Sequence, residues 1–492
     1  MNNVITLAGL DSSKLSGVDA DCRTFKSLGF AVEAVISATT QQNHLGVQAI
    51  VAVSPEYIAE QLQHLCKTRK PAAIKIGMLG SLSVIEMLVN FLKNFQGWVI
   101  LDPVIQASSG GNLFKGDLSN YVESLRRLLP HVDVVTPNVR EAELLANQDI
   151  QSYGDVKSAV DKLLALGAKS VYLKGGHLPD RKFCQDFWTN GEQAFWLSTL
   201  RHKHQQYRAT GCTLSSAITA GLAHGFRPCD AMVIAKMFTQ QSIRLAKPLN
   251  SQQYALNYLG WPEGEEDLPF VSALPLHSCP QSFPTPGPIG LYPIVNSSLW
   301  VKRLLAFGVK TIQLRIKDSF SQQELQQEIY TSVQLAKQHN ANLYINDHWQ
   351  LALQSKAFGV HLGQEDIHEA DISALLDAGL RLGLSTHSYY EVAKAHALAP
   401  SYMACGPIFA TNSKAMEFAP QGVEALKRWR RSLSYPLVAI GGINELNLLQ
   451  ILSTGVDGAA LISAITQAAD PQKSTQRLLD LTQRELTHVE PL

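Results

Sequence analysis

An excess of either charge is missing from this sequence. Lys+Arg and Asp+Glu are equal at 42 each in 492 residues, so no overall field draws the chain to nucleic acid or a membrane surface. A few local cations still suffice for a small anionic ligand. Cysteine is sparse and unpatterned. Its seven positions, Cys22, Cys66, Cys184, Cys212, Cys229, Cys279 and Cys405, include no CxxC pair, and the odd count does not suit a disulfide framework. Long apolar runs are lacking, and none approaches the roughly 20 residues that cross a bilayer. The opening MNNVITLAGLDSS has no basic stretch followed by a long apolar core, so it does not read as a signal peptide. The expectation is a soluble, cytoplasmic protein with small-molecule partners, no nucleic acid and no membrane; a homo-oligomer is left open.

What the chain does have is enough apolar material, 46% of residues, for two or three full cores at about 100–250 residues per domain. One stretch stands apart. Between Pro262 and Pro288 fall Pro269, Pro275, Pro280, Pro284 and Pro286, with acidic residues from Glu263 to Asp267. Proline at that density continues neither helix nor central strand, so 262–288 reads as an extended linker between domains at 1–261 and 289–492. On each side, short β-branched runs alternate with longer amphipathic stretches, the pattern of α/β architecture. The second half has eight such runs: LYPIV, TIQLRI, NLYIND, GVHLG, RLGLSTH, YMACGPIF, LVAIGGI and GAALIS. They predict a compact TIM (βα)8 barrel, with helices near 298–308, 322–338, 368–379 and 444–454. The first half, with VITLAGL, VEAVISA, AAIKIGM, WVILDPV, VDVVTPN and SVYLKGG, predicts an open doubly wound sheet.

A barrel builds its active site where strands end, and the second half places polar residues there repeatedly. Gln313, Arg315 and Lys317 end the second run; Asn346 and Asp347 the third; Gln364 and Asp366 follow the fourth; Ser385 ends the fifth. Thr411, Asn412, Ser413 and Lys414 follow the sixth, Gly441-Gly442 the seventh and Ser463 the eighth. Cations, hydroxyls and a Gly-Gly turn together describe two anionic groups, read here as phosphates. Asp347 and Asp366 are hard oxygen ligands suited to Mg²⁺ that also touches phosphate. Taken singly, Asp347 reads as a helix N-cap, His361 and His387 as packing residues, and Cys405 as a small buried hydrophobe.

The ordered set QLRIK, INDHWQLA, GVHLGQEDI, LGLSTHS, GPIFATNSK and AIGGI resembles thiamine phosphate synthase across 290–470. The resemblance implies that a pyrimidine diphosphate loses diphosphate and is attacked by the nitrogen of a thiazole phosphate. It implies that Gln313, Arg315, Lys317, Asn346, Ser385 and Lys414 bind the pyrimidine diphosphate, with Arg315 and Lys414 catalytic. Asp347 and Asp366 would hold Mg²⁺; Thr411, Asn412, Ser413, Gly442, Ile462 and Ser463 would bind the thiazole phosphate. A barrel relative that only binds or isomerises thiazole phosphate would lack Arg315, Lys317 or the Asp pair, and all are present.

The first half carries AGLDSS, DADCRTF, QQNHLGVQ, KIGML, LDPV, TPNVREAE, LKGGHL and ATGCTLSSAI in that order. This resembles the hydroxymethylpyrimidine and phosphomethylpyrimidine kinases, of ribokinase-like fold, over roughly 1–250. At ATGCTLSSAI a turn enters a helix, whose free amides and dipole suit a transferring phosphoryl group. The resemblance implies that Cys212 is the catalytic thiol, and a helix N-terminus is expected to lower its pKa. It implies ATP-side roles for Asn138, Glu141, Lys174, Thr210 and Gly211, and pyrimidine contacts at Gly9, Asp21, Gln42 and Met78. ATP and Mg²⁺ would be the co-substrate and cofactor. The sequence departs from the family at DSSKLSG, where DSSGGAG is usual, at YRATGC in place of THGTGC, and at Pro179-Asp180-Arg181. Arg208 reads either as a cation for phosphate or as a solvated charge. Two readings therefore stand for this half: an active kinase, or a non-catalytic pyrimidine-binding or scaffolding domain.

Overall fold

The computed structural model describes residues 3–43, 46–106, 111, 113–114, 116–178, 180, 182–202, 206–251, 253–317, 320–410 and 419–488. Its contacts divide the chain into two compact units, Met1–Pro262 with Glu266–Cys279, and Glu263–Glu265 with Pro280–Leu492.

The first unit is built on β1 (Asn3–Asp11), β2 (Ala31–Asn43), β3 (Gly46–Ala52), β4 (Ala73–Ile76), β5 (Trp98–Leu101), β6 (Val134–Val135), β7 (Val171–Leu173), β8 (Phe183–Thr189) and β9 (Ala194–Leu200). A small side sheet joins β10 (Tyr207–Arg208), β11 (Lys247–Pro248) and β12 (Tyr254–Ala255), and β13 is Phe270–Ser272. The main sheet has ten strands in the order β13-β9-β8-β7-β6-β5-β4-β1-β2-β3. From β7 to β2 the neighbours pair in parallel; β3, β8, β9 and β13 add antiparallel margins. The parallel centre is nearly all apolar because it is covered on both faces: β1 is buried almost throughout and β4 entirely. The doubly wound, ribokinase-like expectation is met, while the antiparallel margins were not foreseen.

The expected linker at 262–288 is only partly a linker. Phe270–Ser272 pairs with β9, and Gln185 bonds both backbone groups of Leu276 at 2.7 and 2.9 Å. Pro269 and Pro275 flank this segment without interrupting it, and an edge strand tolerates proline at its ends.

The second unit closes into a parallel barrel of β14 (Gly290–Val295), β15 (Thr311–Leu314), β16 (Asn342–Asn346), β17 (Gly359–Leu362), β18 (Arg381–Thr386), β19 (Tyr402–Cys405), β20 (Leu437–Ile440) and β21 (Gly458–Leu461). All eight expected runs are strands of the barrel. Its interior is filled by Ile289, Tyr292, Ile294, Tyr344, Tyr402, Ala404, Val438 and Ala460, a packed core and not a pore. Two expected helices are shorter than the sequence suggested, at Ile372–Asp377 and Leu448–Leu452. Asp371 caps the first by accepting from the Ala374 amide, so that helix cannot begin earlier.

Candidate active sites

In the first unit a cleft of about 210 Å³ opens where β1, β2, β4 and β5 end. Gly9, Gln42, Met78, Asn138, Glu141, Lys174, Thr210, Gly211 and Cys212 all line it. Its apolar end is formed by Met78 and Leu113, with Val104 beside them. Its other side carries the helix Thr210–Ala223, which packs over β4 and β5. No side chain caps that helix, so the amides of its first turn are left for a ligand. Gly211 leaves room there, since a Cβ would lie 3.1 Å from Lys174 Nζ and push that side chain by a few tenths of an ångström.

Asp21, expected to touch the pyrimidine, does not line the cleft. It sits on the core face of the helix Val18–Ser27, fully buried, and accepts from Lys75 Nζ at 3.0 Å, Thr6 Oγ1 at 2.7 Å and Ser216 Oγ at 2.9 Å. A carboxylate without solvent is kept by such partners, and it is Lys75, not Asp21, that reaches the cleft wall. Burial opposes the charge on Lys75, but Asp21, and behind it Cys212 and Asp102, hold its pKa above the usual lysine value.

A second buried charge cluster stands at the opposite side. Lys174 Nζ lies 2.7 Å from Asp102 Oδ1 and 3.9 Å from Glu141 Oε2. Burial works against the Asp102 carboxylate, yet Lys174 and Lys75 bring its pKa below the ordinary range. Glu141 goes the other way: burial, reinforced by the Asp102 charge, overcomes Lys174 and raises it to about 7. Asn138 and Glu141 also form a reciprocal capping box, Glu141 N to Asn138 Oδ1 at 2.9 Å and Asn138 N to Glu141 Oε2 at 2.8 Å. That bond fixes both side chains at the cleft edge.

The expectation that the helix N-terminus lowers the Cys212 pKa is overturned. Part of the residue faces the cleft, but its thiol is buried enough to be pushed up to about 11. Lys75 and the Gly17 amide act against burial and lose, while Asp21 and Asp102 add to it. The thiol is neutral at physiological pH.

Two of the three altered glycine positions keep glycine-like backbone, and Leu15 does not. Lys14 and Ala209 take φ of 57° and 67°, the left-handed region that costs an L-residue about 1–2 kcal/mol. The DSSKLSG loop is held by Asp11, which accepts from Ser13 N at 2.9 Å and from Ser16 Oγ at 2.6 Å. Gly17 remains where a Cβ would strike Gly9 O at 2.1 Å. Pro179 and Arg181 lie outside the described residues, and Asp180 between them accepts from the Lys182 and Phe183 amides.

In the barrel, Arg315 and Lys317 follow β15, and Arg315 is half-buried with no ion pair among the described residues. Lys317 is exposed and paired with Asp347. Asp347 takes a left-handed φ of 62° and lies close enough to Asp366 for their charges to interact. Burial raises the Asp347 pKa, but Lys317 overrides it and the net shift is downward; Asp366 is raised by burial and by the Asp347 charge. Gln313 is buried and donates to Tyr292 Oη at 3.3 Å, so its amide lies in the barrel interior. Asn346 is buried at the end of β16 and Ser385 half-buried near the end of β18. The Ser385 hydroxyl is 2.9 Å from His361 Nε2, and His361 Nδ1 is 2.7 Å from Tyr402 Oη. Gly441 and Gly442 take φ of 99° and 67°, and Asn447 Nδ2 donates to Gly442 O at 3.0 Å. Ile462 is half-buried and Ser463, exposed, opens a four-residue helix. Thr411, Asn412, Ser413 and Lys414 lie outside the described residues.

The family model "Phosphomethylpyrimidine kinase" matches residues 11–257, and "Thiamine monophosphate synthase" matches 291–465. A rice protein (Oryza sativa subsp. japonica), described as a probable chloroplastic thiamine biosynthetic bifunctional enzyme, is 31% identical over 480 residues, covering 94% of this chain and 85% of its own. The chain belongs to the bifunctional enzymes of thiamine biosynthesis. Its synthase domain is also 50% identical over 199 residues to the thiamine-phosphate synthase of Enterobacter sp. (strain 638), covering 40% of this chain and 94% of that one. Its kinase domain resembles a pyridoxal kinase from Staphylococcus aureus solved in complex with ADP, with a TM-score of 0.50 and 26% identity, covering 55% of this chain and 98% of that one. Neither the cleft nor these relatives support the alternative of a non-catalytic first domain.

Sequence reasoning missed several residues that shape these sites. Lys75 and Asp102 were inside quoted motifs, and a lysine within the apolar run AAIKIGM was itself the signal of a buried, paired charge. His361 gave only a packing signal, yet with Tyr402 it connects the Ser385 hydroxyl to the barrel interior. Among the described residues no helix is long and apolar enough to cross a membrane.

Proposed function

We propose that the kinase domain phosphorylates hydroxymethylpyrimidine and then its monophosphate with MgATP, and that the synthase domain joins the resulting diphosphate to thiazole phosphate. The observation that carries the kinase reading is the convergence of nine expected residues on one cleft. The acceptor oxygen attacks the terminal phosphorus of ATP; the new O–P bond forms as the P–O bond to ADP breaks. Such transfers depend on positioning and charge more than on deprotonation. Cys212, neutral at rest, therefore serves beside the acceptor as a polar wall group, while the amides of Thr210, Gly211 and Cys212 receive the moving phosphoryl group. Asn138, Glu141 and Lys174 take the nucleotide side. Gly9, Gln42 and Met78 take the pyrimidine, and Asp21 acts by holding Lys75.

In the barrel the methylene C–O bond to diphosphate breaks and the thiazole nitrogen forms the new C–N bond. Arg315, Lys317 and Lys414 receive the charge of the departing diphosphate; Gln313, Asn346 and Ser385 orient the pyrimidine. Thr411, Asn412, Ser413, Gly442, Ile462 and Ser463 hold the thiazole phosphate. Asp347 and Asp366 suit Mg²⁺, because burial and then the neighbouring Asp347 charge raise Asp366, and a bound cation would relieve the repulsion. Among the described residues no third acidic, His or Cys ligand joins them, which suits a metal that keeps water and takes phosphate oxygens. Mg²⁺ bound there offsets charge on the leaving group. Seven cysteines without a disulfide support a reducing compartment, which we take to be the cytoplasm.

The test supplies pure protein with thiazole phosphate in two tubes, one with the pyrimidine monophosphate and MgATP, the other with ready-made diphosphate. Thiamine phosphate is expected in both. Product only from the diphosphate removes the kinase assignment; product in neither removes both.

A further inference from the structure

We propose that Arg208 is a phosphate-binding residue of the kinase cleft, an inference that rests on the kinase reading of that cleft. Arg208 ends β10, lines the cleft and is 7% exposed, so it is not a solvated surface charge. A guanidinium stays charged at every accessible pH, and leaving it buried without an anion costs several kcal/mol. The two other buried cations of the cleft have their carboxylates: Lys75 has Asp21 at 3.0 Å and Lys174 has Asp102 at 2.7 Å. The Arg208 side chain has no ion pair and no hydrogen bond among the described residues, although its backbone pairs with Ala255.

The carboxylates on the cleft wall are engaged elsewhere. Asp11 accepts from Ser13 and Ser16, and Asp102 and Glu141 face Lys174. Among the described residues no acidic group of the cleft forms an ion pair with Arg208. One residue further along, Ala209 opens the helix whose first amides have no side-chain cap. Arg208 and the first-turn residues Thr210, Gly211 and Cys212 line the same cleft, and a guanidinium with free helix amides suits phosphate oxygens. Two phosphates enter this cleft on the proposed reaction, the terminal phosphate of the nucleotide and the phosphate of the monophosphorylated pyrimidine. Arg208 stands where the resembled family reads His, so this cation is a feature of the present chain.

The test compares full-length wild type with Arg208→Met and Arg208→Lys. Calorimetry measures binding of the β,γ-methylene analogue of ATP and of the pyrimidine monophosphate; rates are measured with the alcohol and with the monophosphate as acceptors. Arg208→Met is expected to weaken at least one binding event about tenfold or more and to lower kcat/KM about a hundredfold, with partial recovery in Arg208→Lys. A loss confined to the monophosphate assigns its phosphate as the ligand; a loss with both acceptors and with the analogue assigns the nucleotide. Ligand-free Arg208→Met should melt no lower than wild type, since it removes an uncompensated charge. Unchanged binding of both ligands, or a clear drop in ligand-free melting temperature, overturns the proposal. Wild type that binds both ligands and phosphorylates neither acceptor would instead remove the kinase reading, and the binding comparison would still judge Arg208.

Discussion

The kinase cleft and the barrel mouth handle charge differently. In the cleft, Lys75 and Lys174 are bound to carboxylates inside the protein, with Lys75 and Asp21 wholly out of solvent. In the barrel, Arg315 is half-buried and unpaired among the described residues, and Lys317 pairs with Asp347 while more than half exposed. Arg208 apart, the buried cations of the cleft are paired before its ligands arrive. The barrel presents an unpaired Arg315, an exposed Lys317–Asp347 pair and a raised Asp366 beside it, a site that the diphosphate would complete on the proposed function. The contrast suits the two chemistries: a moving phosphoryl group needs fixed donors, whereas a leaving diphosphate brings its own charge to be captured.

The largest effect that sharpens this contrast is at Asp347. Asp347→Ala should lower synthase turnover with ready-made diphosphate about a hundredfold or more, and leave the first phosphorylation at wild-type rate. A parallel fall in kinase rate would break the separation of the two sites. Stability comes next. Lys75→Ala strands the Asp21 carboxylate and should cost about 3–5 kcal/mol in denaturant unfolding, whereas Lys317→Ala in the exposed barrel pair should cost about 1 kcal/mol or less. Equal costs would mean that burial does not distinguish the pairs.

Cys212 gives a smaller and more discriminating effect. With the thiol raised to about 11, a thiolate base would make the kinase rate climb about tenfold per pH unit above neutrality. A positioning thiol predicts a nearly flat profile there, and about a tenfold loss or less in Cys212→Ser. The last effect, read as a slope with pH, is at Glu141. Its pKa rises on folding from 4.5 to about 7, so the folded state holds the proton more tightly. Glu141 therefore destabilises the fold progressively as pH rises across that window. Denaturant unfolding of Glu141→Gln should show a shallower fall in stability over that range than wild type; an identical slope would reject the assignment.

Much of the barrel was legible because each strand is a short β-branched run bounded by polar ends, and those ends carry the proposed site residues. The kinase sheet was legible only at its parallel centre. β8 and β9 carry polar residues among aromatics, and β13 lies between two prolines, so none gave the continuous apolar signal of a buried strand. Within the cleft, the position of Asp21 was readable in principle: Val18, Asp21, Thr24 and Phe25 share one buried helical face. The state of Cys212 was not, because sequence shows the helix N-terminus that lowers a thiol pKa but hides the burial that raises it.

The central claim, one chain with two working sites in series, is tested most directly by following phosphorus resonances of Asp347→Ala supplied with the pyrimidine alcohol, MgATP and thiazole phosphate. The account predicts that the monophosphate appears, then the diphosphate, and that the diphosphate accumulates with little thiamine phosphate. Absence of any phosphorylated pyrimidine, with ATP untouched, would contradict it.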